Sequence, residues 1–168
     1  TTRAFCAKTE RDHVRYQYMI PSFVFTDRAR LRTLLEQTGC PGNGRPAHDP
    51  CSPEEIARMY PALRDARVTP TQLDTLRDAL HSFEGTHSFH NFSRRVGADE
   101  ARASRYILSF VTEDPVVFDN GMEWIPTQVS GQSFLLNQIR KMVCLAIDVT
   151  RGVAPPSIIA EALKKDGD

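Results

Sequence analysis

The chain has 168 residues, 40% of them hydrophobic and 25% charged, with 21 Lys and Arg balanced by 21 Asp and Glu. That length is enough for one domain with a proper core, and the composition is that of an ordinary soluble globule. Zero formal charge gives no global signature of nucleic-acid binding, no apolar run is long enough to span a membrane, and the first residues read neither as a signal peptide nor as a transit segment.

Residues 13 to 20 alternate. Val14, Tyr16, Tyr18 and Ile20 share one face and Arg15 and Gln17 the other, which predicts a strand stopped near Pro21. Residues 28 to 37 read as a short helix with Leu31, Leu34 and Leu35 inward. The breakers between Gly39 and Pro46 predict a surface loop or insertion. Ser52-Pro53-Glu54-Glu55 and Thr69-Pro70-Thr71-Gln72 each open a helix with a capping box and an early proline. The second helix carries Leu73, Leu76, Leu80 and Phe83 inward, with Gly85 ending it. Residues 105 to 112 are rich in strand formers. Asn120-Gly121 predicts a hairpin turn leading into a strand from about Glu123 to Val129. From Ser133 to about Arg151 the pattern is helical, with Leu135, Ile139, Met142, Val143, Ala146 and Val149 on the apolar face. Gly152 ends it, and Pro155-Pro156 opens a last short helix. The expected class is α+β: one domain over 1–168, with a variable insertion at 38–68. It would be a small antiparallel or mixed sheet with helices packed on one face.

Cys6, Cys40, Cys51 and Cys144 show no Cys-x-x-Cys spacing, which argues against zinc. Cys40 and Cys51 flank the Pro/Gly stretch and would pair only in an oxidising compartment; free thiols are the reading for an intracellular chain.

Three constellations could carry chemistry. His87 and His90, three apart, suit a metal if they share a helical turn, but no third ligand has recognisable spacing. Alternatively they end a helix, satisfying nearby backbone groups above a core containing Phe89 and Phe92. Or they form a polar-aromatic patch with Asn91 beside a nucleic acid, Arg94 and Arg95 touching phosphate. On a helical wheel Ser133, Asn137, Arg140, Cys144 and Asp148 form a strip bounded by Leu136, Val143 and Ile147. Arg140 is then either a guanidinium at a buried edge in want of a partner, or a surface side chain snorkelling past apolar neighbours. Tyr16 and Tyr18 either pack into the core with wet hydroxyls or stack on a base.

Three separated blocks resemble the eukaryotic branch of the TruA family of tRNA pseudouridine synthases. Arg3 to Lys8, together with Arg15-Tyr16-Gln17-Tyr18-Met19-Ile20-Pro21-Ser22-Phe23, is similar to the family's Gly-Phe-Asn-(Ser/Ala)-Lys, Arg-x-Tyr-x-Tyr and Leu-Pro-(Thr/Ser)-Phe. Gly85-Thr86-His87-Ser88-Phe89-His90-Asn91-Phe92, followed by Ser104-Arg105-Tyr106-Ile107-Leu108, resembles Gly-Thr-His-Asn-Phe-His-Asn-Phe and Cys-Arg-Tyr-Ile-Leu. The run from Gly131 to Val143 resembles Gly-x-Ser-Phe-Met-x-His-Gln-Ile-Arg-Lys-Met-Val. Order and spacing agree outside residues 38 to 68.

The resemblance implies a uridine isomerase that needs no metal and no organic cofactor, with tRNA as partner. Tyr16 matches the base-stacking tyrosine and Arg140 the arginine that pairs with the catalytic aspartate. Phe134, at the start of the same helix, would line the pocket floor. Lys8, Arg15, His87, His90, Asn91, Arg94 and Arg95 would contact RNA. The family's Arg-Thr-Asp-x-Gly-Val segment is not found in 1 to 168. The chain is therefore expected to be the C-terminal half, inactive alone, docking on the N-terminal half of the same protein; a non-catalytic RNA-binding relative is the alternative. Three departures stand out: Val14 replaces an arginine, so that Arg15 points to the other strand face; Asn137 replaces a histidine; and Cys144 replaces a glycine, thickening a close helix contact. Family members occur in nucleus and mitochondria, and nothing in the chain chooses.

Overall fold

A computed structural model describes residues 12–37, 53–94 and 96–165. Among the described residues five strands form one sheet: β1 (Val14–Pro21), β2 (Gly85–Ser88), β3 (Ser104–Thr112), β4 (Val116–Val117) and β5 (Glu123–Gly131). The order is β1-β5-β3-β2, with β4 also paired to β5, and every pairing is antiparallel. The helices are α1 (Arg28–Gln37), α2 (Pro53–Arg64), α3 (Pro70–His81), α4 (Gln138–Thr150) and α5 (Ser157–Leu163). The expected α+β class and one-sided helix layer are what forms.

Register explains the layering, because residues directly opposite in an antiparallel pair share a face. Tyr16 lies opposite Val129, which lies opposite Phe110; Ile20 lies opposite Ile125. Ile20, Ile107, Phe110, Ile125 and Val129 are all buried on that face. The helices cover it with Leu76 and Leu80 of α3, Met142, Val143 and Ala146 of α4, and Ile159 of α5, in one continuous core. Phe83 seals one end, edge-on to Phe92 at 5.4 Å and tilted against Phe110 at 6.2 Å. Burying side chains of this size contributes roughly 1.5–3 kcal/mol each, which is why the apolar stripe rather than helix propensity holds the layer in place.

Local signals set several boundaries. Thr69 accepts from the Gln72 amide at 3.2 Å, and the Thr69 amide donates to Gln72 Oε1 at 3.0 Å, completing the capping box. Gly121, at φ +83°, turns the hairpin, and Asn120 Oδ1 accepts from the Met122 amide. Tyr60 of α2 donates to the Asn120 carbonyl at 2.8 Å, tying α2 to that turn.

The structure differs from expectation in several places, among them β4, a short strand not expected from sequence. Gly85–Ser88 is not a helix end but a strand, drawn out by pairing with β3; α3 stops at His81, and His90–Phe92 form a single 3-10 turn. The helix expected from Ser133 begins only at Gln138, because Asn137 takes the left-handed conformation at φ 63°. Ser133, Phe134 and Asn137 therefore precede α4, and the strip expected of Ser133 and Asn137 with Arg140, Cys144 and Asp148 does not form. Cys144 is a free, exposed thiol. Cys6, Cys40, Cys51, the Gly39–Pro46 loop and Ser52 lie outside the described residues, as do the side chains of Leu31, Leu34 and Leu35.

Candidate active site

The site is assembled where β1 meets the turn between β5 and α4. Both Tyr16 and Ile20 face the helix layer, but the layer covers only the Ile20 end. Ile20 is fully buried, whereas Tyr16 is 46% exposed. Phe134, in the turn, supports Tyr16 from one side: the rings meet edge to face with centroids 5.6 Å apart and planes at 78°.

Gly131 makes that contact possible. A Cβ there would fall 2.8 Å from the Tyr106 carbonyl oxygen and 3.1 Å from Phe134 Cζ. The strand can close on its neighbour and admit the Phe134 ring only without a side chain. Next to it β3 bulges at Leu108, with Ile107 opposite Gly131 and Ser109 opposite Ser130.

Arg140 sits in the first turn of α4, exposed, and among the described residues it has no ion pair or hydrogen bond. That first turn holds no acidic residue. A helix N-terminus carries a partial positive charge, so the guanidinium and the dipole together favour an anion there. Of the two readings open from periodicity, the exposed one is correct; the buried edge does not form because the apolar face of α4 turns Met142 and Val143 inward instead.

The start of α4 is held from several sides. Gln138, fully buried, accepts from the Leu135 amide at 2.7 Å. Ser93 Oγ donates to the Leu136 carbonyl at 3.2 Å. Lys141 Nζ donates to the Asn91 and Ser93 carbonyls at 3.0 and 3.2 Å. Asn91 Nδ2 donates to the Ala162 carbonyl of α5 at 3.1 Å. Sequence reasoning missed Gln138, Lys141 and Ser93. Only the placement of Gln138 three residues after Leu135, as a local cap, was there to be found; the Ser93 and Lys141 bonds span more than forty positions.

The remaining candidates do not gather at Tyr16. Arg15 is exposed, opposite Ser130 on the other face from Tyr16. His87 lies on β2, at the far edge of the sheet, three strand spacings or roughly 14 Å from β1. Its Nε2 lies 2.7 Å from the Glu84 carbonyl and its ring packs edge-on to Phe89. His90 Nδ1 pairs with Ser88 Oγ at 3.0 Å. Both histidines thus engage neighbouring polar groups, and no cluster of three or more metal-ligating side chains forms among the described residues. A groove of about 680 Å³ runs between β2 and α5, lined by His87, Ser88, Ser104 and Lys164 among others, and contains neither Tyr16 nor Arg140. Arg105, opposite His87, donates to the Ser104 carbonyl but leaves its Nε buried without a partner; burial holds its pKa below the ordinary arginine value. Arg94 is exposed; Lys8 and Arg95 lie outside the described residues. No helix among the described residues is long and apolar enough to cross a membrane.

Comparison with known proteins gives a consistent picture. A family model described as tRNA pseudouridine synthase matches residues 79–167, just over half of the chain. A tRNA pseudouridine synthase 1 of Schizosaccharomyces pombe is 40% identical over 61% of this chain and 19% of its own length. Pseudouridylate synthase 1 homolog of Mus musculus is 32% identical over 94% of this chain and 30% of its own length. The tRNA pseudouridine(27/28) synthase of Saccharomyces cerevisiae is 28% identical over 94% of this chain and 50% of its own length. The chain therefore spans no more than half the length of these relatives.

Proposed function

The chain belongs to the tRNA pseudouridine synthase family, and on that premise we propose that it forms part of an enzyme that isomerises uridine in tRNA to pseudouridine. In this reading Tyr16 contacts the target base, and Arg140 pairs with a nucleophilic aspartate supplied from outside residues 1–168, in the N-terminal half of the same protein. The observation that carries it is the exposed guanidinium of Arg140, unpaired among the described residues, in an acid-free helix turn on the segment whose Phe134 touches Tyr16.

The chemistry follows from what each group offers. A bidentate guanidinium keeps a carboxylate ionised and aimed, as a nucleophile requires. The uridine must leave its stack, at a cost of roughly a few kcal/mol, and a half-exposed aromatic ring offers it a new stacking face. The bond from ribose C1′ to uracil N1 breaks, the base turns, and C1′ bonds to uracil C5. The C5 proton leaves and N1 gains one, so atoms and charge balance without a redox partner.

RNA contacts beyond Tyr16 and Arg140 are assigned in this reading to Lys8, Arg15, His87, His90, Asn91, Arg94 and Arg95. His87 and Arg15 stand on different edges of the sheet from each other, so such contacts would spread over a broad RNA surface rather than one cleft. Phosphate contacts of this kind position the RNA and carry no sequence information.

The test is pseudouridine formation on an unmodified tRNA transcript by the intact protein and by residues 1–168 alone. Turnover by the intact protein and none by the chain alone is expected. Turnover by residues 1–168 alone overturns the assignment of the nucleophile to another segment. RNA binding without turnover by the intact protein identifies a non-catalytic relative instead.

A further inference from the structure

We propose that Lys141 is a positioning residue, whose ammonium fixes the first turn of α4 so that Arg140 is presented in one orientation; this rests on the reading of Arg140 given above. Lys141 and Arg140 are consecutive cations at the positive end of α4, where no acidic residue compensates them. Their surroundings differ. The Lys141 ammonium is spent on two carbonyls, Asn91 O at 3.0 Å and Ser93 O at 3.2 Å. Arg140 has no partner among the described residues.

The bonds of Lys141 reach across the chain to the segment formed by the 3-10 turn His90–Phe92 and Ser93 after it. That segment is anchored independently, since Phe92 is in the core and Asn91 donates to Ala162 of α5. It returns a second bond, from Ser93 Oγ to Leu136 O. Leu136 and Lys141 flank Asn137, the left-handed residue from which α4 starts. The left-handed residue at which the turn gives way to α4 is thus braced on both sides by one anchored segment. First turns of helices fray when their ends are not tied. Without the brace, Arg140 would sample several orientations and the carboxylate it holds would do the same. A misplacement of about 1 Å at a reacting group costs on the order of a hundredfold in rate.

The alternative role for a lysine here is a direct phosphate contact, which would act on binding instead. The two are separated by single-turnover and steady-state kinetics of the intact protein on unmodified tRNA, comparing wild type, Lys141→Met, Arg140→Ala and the double variant. Lys141→Met is expected to lower kcat roughly tenfold to a hundredfold, with KM for tRNA changed less than about twofold. In the Arg140→Ala background the same change is expected to have little further effect, because both act through one group. Lys141→Arg, which keeps a donor, restores part of the loss. A raised KM with unchanged kcat, or an equal loss in both backgrounds, overturns the proposal. Wild-type activity in Arg140→Ala alone instead overturns the reading of Arg140, and this proposal with it. Should Lys141→Met fail to fold, Ser93→Ala removes only the Leu136 bond. A smaller fall confined to kcat then supports the brace, and unchanged kcat overturns it.

Discussion

The Tyr16 ring meets the Phe134 ring edge to face, 5.6 Å between centroids and 78° between planes. An edge strand is thereby registered against the turn that opens α4, two elements more than a hundred positions apart in sequence. Tyr16 keeps one side of its ring to solvent because the helix layer stops short of it.

Phe134→Ala should loosen Tyr16 without unfolding the domain, since Phe134 is only partly buried. An aromatic pair of this kind contributes about 0.5–1.5 kcal/mol. The expected outcome is a fall in kcat/KM of up to about tenfold with a far-ultraviolet circular dichroism spectrum like that of wild type.

Gly131→Ala should be worse for stability than its size suggests. The added methyl would sit 2.8 Å from the Tyr106 carbonyl, which is backbone and cannot swing away, and 3.1 Å from Phe134 Cζ. Overpacking of this kind costs about 1–3 kcal/mol. Urea unfolding should show the midpoint lowered with an unchanged m-value, whereas Gly152→Ala meets no atom within 4 Å and suffers only from its positive φ.

Thr69→Ala removes the acceptor for the Gln72 amide and breaks the reciprocal box at the start of α3. A loss of about 1 kcal/mol is expected. Gln72 is also bonded to the Phe25 carbonyl at 2.9 Å, so Gln72→Ala should cost more than Thr69→Ala in the same thermal melt.

Much of this was legible in sequence, for physical reasons. Alternation at Tyr16, Tyr18 and Ile20 marks a strand because side chains on a strand alternate strictly. Thr69 and Gln72 mark a helix start because both partners of the box are local. Asn120-Gly121 marks a turn because few other residues tolerate its geometry. The strand Gly85–Ser88 was not legible: Gly, Thr, His and Ser hold no apolar period, and only pairing with β3 extends them. The start of α4 was misread for the opposite reason. Leu135 fits the apolar period, yet it and Phe134 are partly buried from a turn that Asn137 ends in a left-handed conformation. Of the site, Tyr16 and Arg140 were singled out by pattern and resemblance. The bonds through Gln138, Lys141 and Ser93 were not, since two of those residues are bonded to partners far away in sequence.

The proposed role of Arg140 is to orient a catalytic carboxylate. Its most direct test is single-turnover pseudouridine formation by the intact protein carrying Arg140→Ala, at saturating enzyme and with tRNA binding measured in parallel. The expected rate is lowered by at least about a hundredfold, with the dissociation constant for tRNA changed by less than about threefold. A wild-type rate in Arg140→Ala, or a loss entirely explained by weaker tRNA binding, would contradict it.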